Sequence, residues 1–264
     1  MSTLITPRRF PLASESVVFA GRLMTRWRRN PLVPLQSLLF PTILLIVYYM
    51  LVSKSMTRLT GSDSIDVVVS MCALAGGMQG ALAAALSIPD ERDNGLLSRF
   101  WLMPVHRASA LSGILIAEAA RTLIATAVIT SVGLMLGLRF QAGVLAAALF
   151  ILIPVLWVCV YSLIVIVVAL RFESRAVLTW FSTFSLGAVF GSSGVAPMEL
   201  FPTWVQPFIR FQPMSPTIEA MKALARDGFA WELLLWTFVW IAVIGAVAGT
   251  LAMRGYRSAA QSGD

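Results

Sequence analysis

Few side chains in this sequence are equipped for chemistry, and their spacing limits what that chemistry is. Glu118 and Arg121 stand three residues apart inside a long apolar run, so a helix there carries both on one face, close enough to pair. Such a pair suits either a structural ion pair near a membrane edge or one station of a proton relay. The structural reading is favoured, because one relay acid without a titratable companion makes a poor pathway. Residues 122–138 alone are long enough to cross a bilayer, which places the pair at the cytoplasmic edge of its span. His106 is the one histidine, and a lone imidazole lacks the partners that metal binding or a nucleophilic triad requires. Cys72 and Cys159 sit in separate apolar runs with no CxxC spacing, which suits neither a disulfide nor a metal. There is no GxxxxGKS/T phosphate loop and no HExxH. No catalytic residue and no metal ligand is assigned.

The elements that position these residues are membrane elements. Hydrophobic residues make up 58% of the 264 and charged residues 12%. Soluble domains carry about 25% charged residues, so an integral membrane protein is expected, as a single unit over 1–264. The first thirty residues are Arg-rich with no apolar core, unlike a cleavable signal. The net charge of +7 fits cytoplasmic loops facing anionic lipid. Basic residues do not interleave with exposed aromatics, so nucleic acid is set aside as a partner.

Runs of about 20 apolar residues predict an all-α fold with six transmembrane helices, near 32–53, 66–88, 111–138, 142–170, 176–193 and 233–253. Pro41 is expected to kink the first, Pro154 interrupts the fourth, and Gln79 is the strongly polar side chain in the middle of the second. Residues 14–30 read as an amphipathic surface helix. Val17, Ala20, Gly21, Met24 and Trp27 lie on one face, and Arg22, Arg26 and Arg29 on the other. If the N-terminus is inside, thirteen of the twenty Lys/Arg fall in cytoplasmic segments and six outside, which predicts both termini in the cytoplasm.

Two connecting segments have patterns of their own. In 89–110, Asp90, Glu91 and Asp93 suit the positive end of a helix. Leu96, Leu97, Phe100 and Trp101 then recur at helical spacing until Pro104. A helix this short needs a surface to lie against, either lipid headgroups or a groove on another protein. In 192–231 an apolar stretch is broken by Pro197, Pro202, Pro207, Pro213 and Pro216. Short helices re-entering the outer leaflet are expected there, packed on protein so that the broken backbone is satisfied. Thr179, Ser182, Thr183 and Ser185 put hydroxyls along one side of the fifth span, for helix–helix hydrogen bonds or for the polar wall of a lumen. GxxxG occurs at Gly76/Gly80, Gly133/Gly137, Gly187/Gly191 and Gly245/Gly249, too often to be specific.

This order of parts resembles the ABC-2 type exporter permeases. Their loop pattern, an E-R-E-x-G run, a short helix and T-P-V, is matched by Glu91, Arg92, Asp93, Gly95 and then Met103-Pro104-Val105. Asp93 and Met103 depart mildly from it. Within that family the chain is most similar to actinobacterial daunorubicin-resistance and phthiocerol dimycocerosate type permeases, through LMPVHRASAL at 102–111 and LFPTWVQPFIRFQPMSP at 200–216. The resemblance implies a permease that is not itself an enzyme and binds no cofactor, with ATP and Mg on a separate ABC ATPase present in two copies. It also implies a second permease subunit, homologous or identical, and a plasma-membrane location. Residues 94–103 look like the coupling helix, with Leu96, Leu97, Phe100 and Trp101 entering the ATPase and Glu91, Gly95 and Pro104 shaping the approach. Residues 14–30 would be the connecting helix, with Met24, Trp27 and Arg28 touching the same partner. Pro197, Phe201, Pro202, Trp204, Pro207 and Pro213 would line the outer gate, and Thr179, Ser182 and Thr183 a lumen for a hydrophobic or amphiphilic substrate. Two rivals remain at this stage. An ATP-independent secondary transporter needs a midplane ion site, for which only Glu118 and Arg121 are available. A membrane-embedded lipid-modifying enzyme needs a cluster of acids, histidines or metal, and the only acid cluster is at 90–93.

Overall fold

The computed structural model describes residues 11–60, 65–86, 107–172, 174–192 and 202–261, with side chains throughout except at 33, 34, 36, 52–60, 107, 108, 110 and 256–261. Every regular element among the described residues is an α-helix. The order is α1 (Leu12–Arg29), α2 (Leu32–Thr60), α3 (Ile65–Ala85), α4 (Arg107–Met135), α5 (Gly143–Arg171), α6 (Arg175–Phe190), α7 (Gln206–Phe211), α8 (Met214–Arg226) and α9 (Trp231–Gln261). Each of the six apolar runs read from the sequence falls on one of these helices. Four contain stretches long and apolar enough to cross a bilayer: Ile65–Ala85, Leu111–Met135, Gly143–Arg171 and Trp231–Gly255. The shorter apolar runs are Ser37–Leu51 in α2 and Arg175–Phe190 in α6. Sixteen residues of α6 rise only about 24 Å, less than the roughly 30 Å hydrocarbon core. The chain is a multi-pass membrane protein of at least these four long helices.

The middle of the bundle is α3, 83% of whose span is buried, with α2, α4, α5, α6 and α8 packed around it. Its sequence explains how it accommodates so many neighbours. Gly76, Gly77 and Gly80 let three helices approach its backbone. A Cβ at Gly76 would lie 2.6 Å from Pro41 Cγ of α2, and one at Gly77 2.3 Å from Val158 Cγ2 of α5. One at Gly80 would fall about 2 Å or less from the Arg121 guanidinium of α4. The Gly76/Gly80 motif is therefore a packing device, whereas Gly187 of α6 has nothing within 4 Å of an added Cβ. By contrast α9 is 17% buried and turns Leu235, Trp236, Val239, Val243 and Val247 outward, as a lipid-facing helix does. It runs parallel to α5, with Gly245 beside Val160 and Gly255 beside Leu170.

The short helices α7 and α8 occupy the Pro-broken segment. Pro207 sits in the first turn of α7 and Pro213 immediately precedes α8, where a missing N–H costs nothing. In α8, Met214, Ile218, Met221 and Leu224 are buried against α3, α5 and α9. Two polar ties hold it. Trp157 Nε1 donates to Thr217 Oγ1 at 2.8 Å, and Arg226 Nη2 donates to Asp66 Oδ1 at 2.8 Å while its Nε lies 2.6 Å from Oδ2. The start of α3 and the end of α8 thus meet at one end of the bundle. At the other end α1 lies along the start of α4.

Candidate functional site

The residues singled out for chemistry come together where α2, α3 and α4 meet. Arg121 is 8% exposed and Glu118 1% exposed, so both are buried among the helices. Arg121 donates from Nη2 to Glu118 Oε2 at 2.5 Å and from Nε to the same oxygen at 3.1 Å. It also donates from Nη1 to Ser37 Oγ at 3.0 Å and from Nη2 to the Gly77 carbonyl at 3.1 Å. The expected pair is present, and it also clamps three helices together. The apolar sequence after Thr122 gave no sign of this, because the clamp depends on Gly77 and Gly80 opening the surface of α3. Ser37, the contact on α2, carried no signal of its own.

Ser37 also opens onto the surface cleft beside the clamp. Ser37, Phe40 and Pro41 of α2, Gln79, Leu82 and Ala83 of α3 with Leu86 just beyond its end, and Leu186 of α6 line a space of about 390 Å³. A wall of this kind, apolar with two hydrogen-bonding side chains, suits an amphiphile with one polar end. Gln79 had stood out in the sequence as polar in mid-span. Here it lines the cleft.

The predicted lumen residues divide. Thr179 and Thr183 are exposed and return their hydroxyl protons to the carbonyls of Arg175 and Thr179, whereas Ser182 is buried. The three lie on adjoining parts of one side of α6, with Ser182 turned into the bundle and the two threonines turned out of it. Trp180 and Phe184 flank the exposed threonines and are 74% and 80% exposed.

In α1, Met24 and Arg28 are exposed and Trp27 is half-buried. The seam against α4 uses Glu15, Ser16 and Ala20, so of the expected apolar face it buries Ala20 and leaves Val17 and Met24 exposed. Ser16 and Ser112 share a 2.6 Å hydrogen bond, and a Cβ on Gly113 would meet Phe19 Cβ at 2.4 Å. Small residues on both sides, Ser16 and Ala20 against Ser112 and Gly113, set the docked face.

Of the expected outer-gate residues, Pro202, Trp204 and Pro207 are exposed and Pro213 is half-buried; Pro197 and Phe201 lie outside the described residues. A second space of about 450 Å³ lies among Pro207, Phe208, Phe211 and Gln212. The expected coupling residues Glu91, Gly95, Leu96, Leu97, Phe100, Trp101 and Pro104 also lie outside the described residues. Asp66, Arg226, Trp157 and Thr217 were not foreseen. An acid in the first turn of the second span and a base shortly before the sixth were the available signal.

An ABC-2 type transporter family model matches residues 16–225, which run from the α1 seam through the clamp to the end of α8. The chain belongs to the ABC-2 type transporter family. A probable doxorubicin resistance ABC transporter permease protein, DrrC, of Mycobacterium tuberculosis is 31% identical over 246 residues, covering 93% of this chain and 89% of the relative. The daunorubicin resistance ABC transporter permease protein DrrB1 of Streptomyces coeruleorubidus is 24% identical over 260 residues, covering 96% and 89%. A putative transport permease, ycf38, of Cyanophora paradoxa is 22% identical over 221 residues, covering 81% and 75%. As a member of this family the chain is a membrane permease, not an enzyme.

Proposed function

We propose that this permease is the transmembrane subunit of an ATP-driven exporter that moves a hydrophobic or amphiphilic substrate, a complex lipid or a drug, out across the plasma membrane. The observation that carries this reading is the family match over residues 16–225, which includes both expected points of contact with a motor subunit. Two copies of a separate ABC ATPase supply the energy, with ATP and Mg bound on that partner. A second permease chain completes the pathway. The relatives named for doxorubicin and daunorubicin resistance support an amphiphilic cargo.

In this reading the chain crosses the membrane six times, with α2 and α6 as the first and fifth spans and both termini in the cytoplasm. The charge asymmetry supports that orientation. Leu96, Leu97, Phe100 and Trp101 are the apolar knobs received by the ATPase, approached through Glu91, Gly95 and Pro104. Met24, Trp27 and Arg28 of α1 add contacts to it. Substrate enters the cleft at Ser37 and Gln79, passes Thr179 and Thr183, and leaves beside Trp204, Pro207 and Pro213. Closing of the paired ATPases shifts the bundle between inward- and outward-facing arrangements.

The test is export from inside-out vesicles containing the permease with its co-purified ATPase. ATP-dependent uptake of a fluorescent anthracycline or a labelled lipid is expected, and Phe100→Asp should abolish it without removing the protein from the membrane. Transport driven by a proton gradient with no ATPase present would replace this reading with that of a secondary transporter.

A further inference from the structure

Threonines in these helices ordinarily give their hydroxyl proton to their own backbone. Thr25, Thr42, Thr179, Thr183 and Thr237 each donate to the carbonyl four residues back, at 2.7–3.0 Å. Thr122, Thr126 and Thr130 of α4 do not. They are 0, 0 and 3% exposed, and among the described residues their hydroxyl oxygens have no hydrogen-bond partner. One turn earlier, Glu118 spends Oε2 on Arg121 while its buried Oε1 has no partner.

A fifth such atom stands at the same level on the neighbouring helix. An added Cβ on Gly77 would touch both Thr122 Cγ2, at 3.2 Å, and Val158 Cγ2, so those two residues share one depth. Because α4 and α5 run in opposite directions, one turn from that level leads to Glu118 on α4 and to Ser162 on α5. Ser162 is 3% exposed and its Oγ is also unpartnered. Buried polar groups are nearly always satisfied, so five unsatisfied ones with this spacing call for a ligand.

Spacing and charge identify it. Four residues along an α-helix rise about 6 Å, and one water accepting and donating hydrogen bonds of about 2.8 Å spans that step. A metal cation would need uncompensated negative charge, and Glu118 is already neutralised by Arg121. We propose that the inner face of α4 binds a file of ordered waters, one between each successive pair of Glu118, Thr122, Thr126 and Thr130, with Ser162 contributing at the charged end. The carbonyls that these threonines leave free, each with a spare lone pair, give the waters further partners. The file gives the Glu118 Oε1 atom the hydrogen-bond partner it lacks inside an apolar bundle. This does not depend on what the permease exports.

The test uses the full-length protein in lipid nanodiscs and millisecond X-ray radiolysis, which generates hydroxyl radicals from bound water in place. Oxidation is expected in the peptides carrying Thr122–Thr130 and Val158, and not at Phe150, which is 0% exposed and intrinsically more reactive. Thr126→Val keeps the side-chain shape and removes the hydroxyl. It should lower the melting temperature by about 3 °C and suppress the labelling, while Thr126→Ser keeps the labelling. An unlabelled seam in the wild-type protein, or Thr126→Val melting at or above wild type, would overturn the proposal. The labelling result stands even where a variant fails to fold.

Discussion

Glu118→Gln is the most informative single perturbation of the clamp. It keeps the shape of the side chain and removes the charge that neutralises Arg121. The guanidinium cannot escape, because it rests on Gly80 and is held by Ser37 Oγ and the Gly77 carbonyl as well as by Glu118. Removing one partner of a buried ion pair costs about 3–5 kcal/mol, since the other charge stays behind uncompensated. For a chain of this size each kcal/mol lowers the melting temperature by roughly 2–4 °C, so a fall of about 10 °C is expected. Replacing both partners, as in Glu118→Gln with Arg121→Met, should recover most of that loss, because no buried charge remains. Thermal unfolding of the detergent-solubilised protein, followed by size-exclusion fluorescence, measures all four corners of the cycle. A single variant melting within about 2 °C of wild type would refute the claim that a charged, solvent-excluded pair clamps these helices. So would a double variant worse than the sum of the singles.

The central glycines should be intolerant of one carbon each. Gly77→Ala drives a Cβ into Val158, whose branched side chain has little room to turn, and should cost about 1–3 kcal/mol, with partial rescue by Val158→Ala. Gly187→Ala, where the added carbon meets nothing, should stabilise α6 by up to about 1 kcal/mol in the same melting assay. At the other end of the bundle the Asp66–Arg226 tie should be asymmetric. Asp66 is 3% exposed at its side chain and Arg226 29%, so Arg226→Met strands a buried carboxylate and should destabilise more than Asp66→Asn, whose arginine can reach solvent. Phe100→Asp should leave permease in the membrane while ATP-driven export and co-purification of the ATPase both fail. Normal export by that variant would remove residues 94–103 from the coupling role.

What the sequence revealed follows from how far each signal extends along the chain. The six apolar helices were legible because hydrophobicity sums over twenty residues, and the pairing of Glu118 with Arg121 because three residues is a local spacing. That the pair joins three helices was not legible, since nothing local says that Arg121 is received by Gly80. Gly76/Gly80 could not be told from Gly187/Gly191 for the same reason: the motif is identical, and only the neighbouring helix decides whether a close approach is needed. In α1 the apolar stripe docks only in part, with Ala20 buried and Val17 and Met24 exposed. There Ser16 and Gly113 decide, because a 2.6 Å hydroxyl contact and a missing Cβ allow closer approach than any aliphatic pair. The fifth-span hydroxyls share a side of α6, but which of them is buried depends on the neighbouring helices. The tie of Asp66 to Arg226 spans 160 positions and carries no local pattern at all.

These contacts also bear on how work done at one end of such a permease reaches a substrate. Helix α1 is fixed to α4 at Ser112 and Gly113, only five residues before Glu118. That is about 8 Å of helix, too short and too regular to bend under load. From there Arg121 joins α4 to the Ser37 hydroxyl that forms one wall of the cleft, and to the Gly77 backbone beneath it. A displacement of α1 or of the start of α4 therefore has no compliant loop in which to dissipate before it reaches Ser37. In the exporter proposed above, α4 is the rigid link between α1, which meets the motor, and the Ser37 wall, which meets the substrate. Substrate in the cleft would in turn bias the position of α4, because coupling between two binding sites is reciprocal. Glu118→Gln should accordingly weaken substrate stimulation of the ATPase more than it weakens basal hydrolysis, whereas a merely loosened bundle would depress both together.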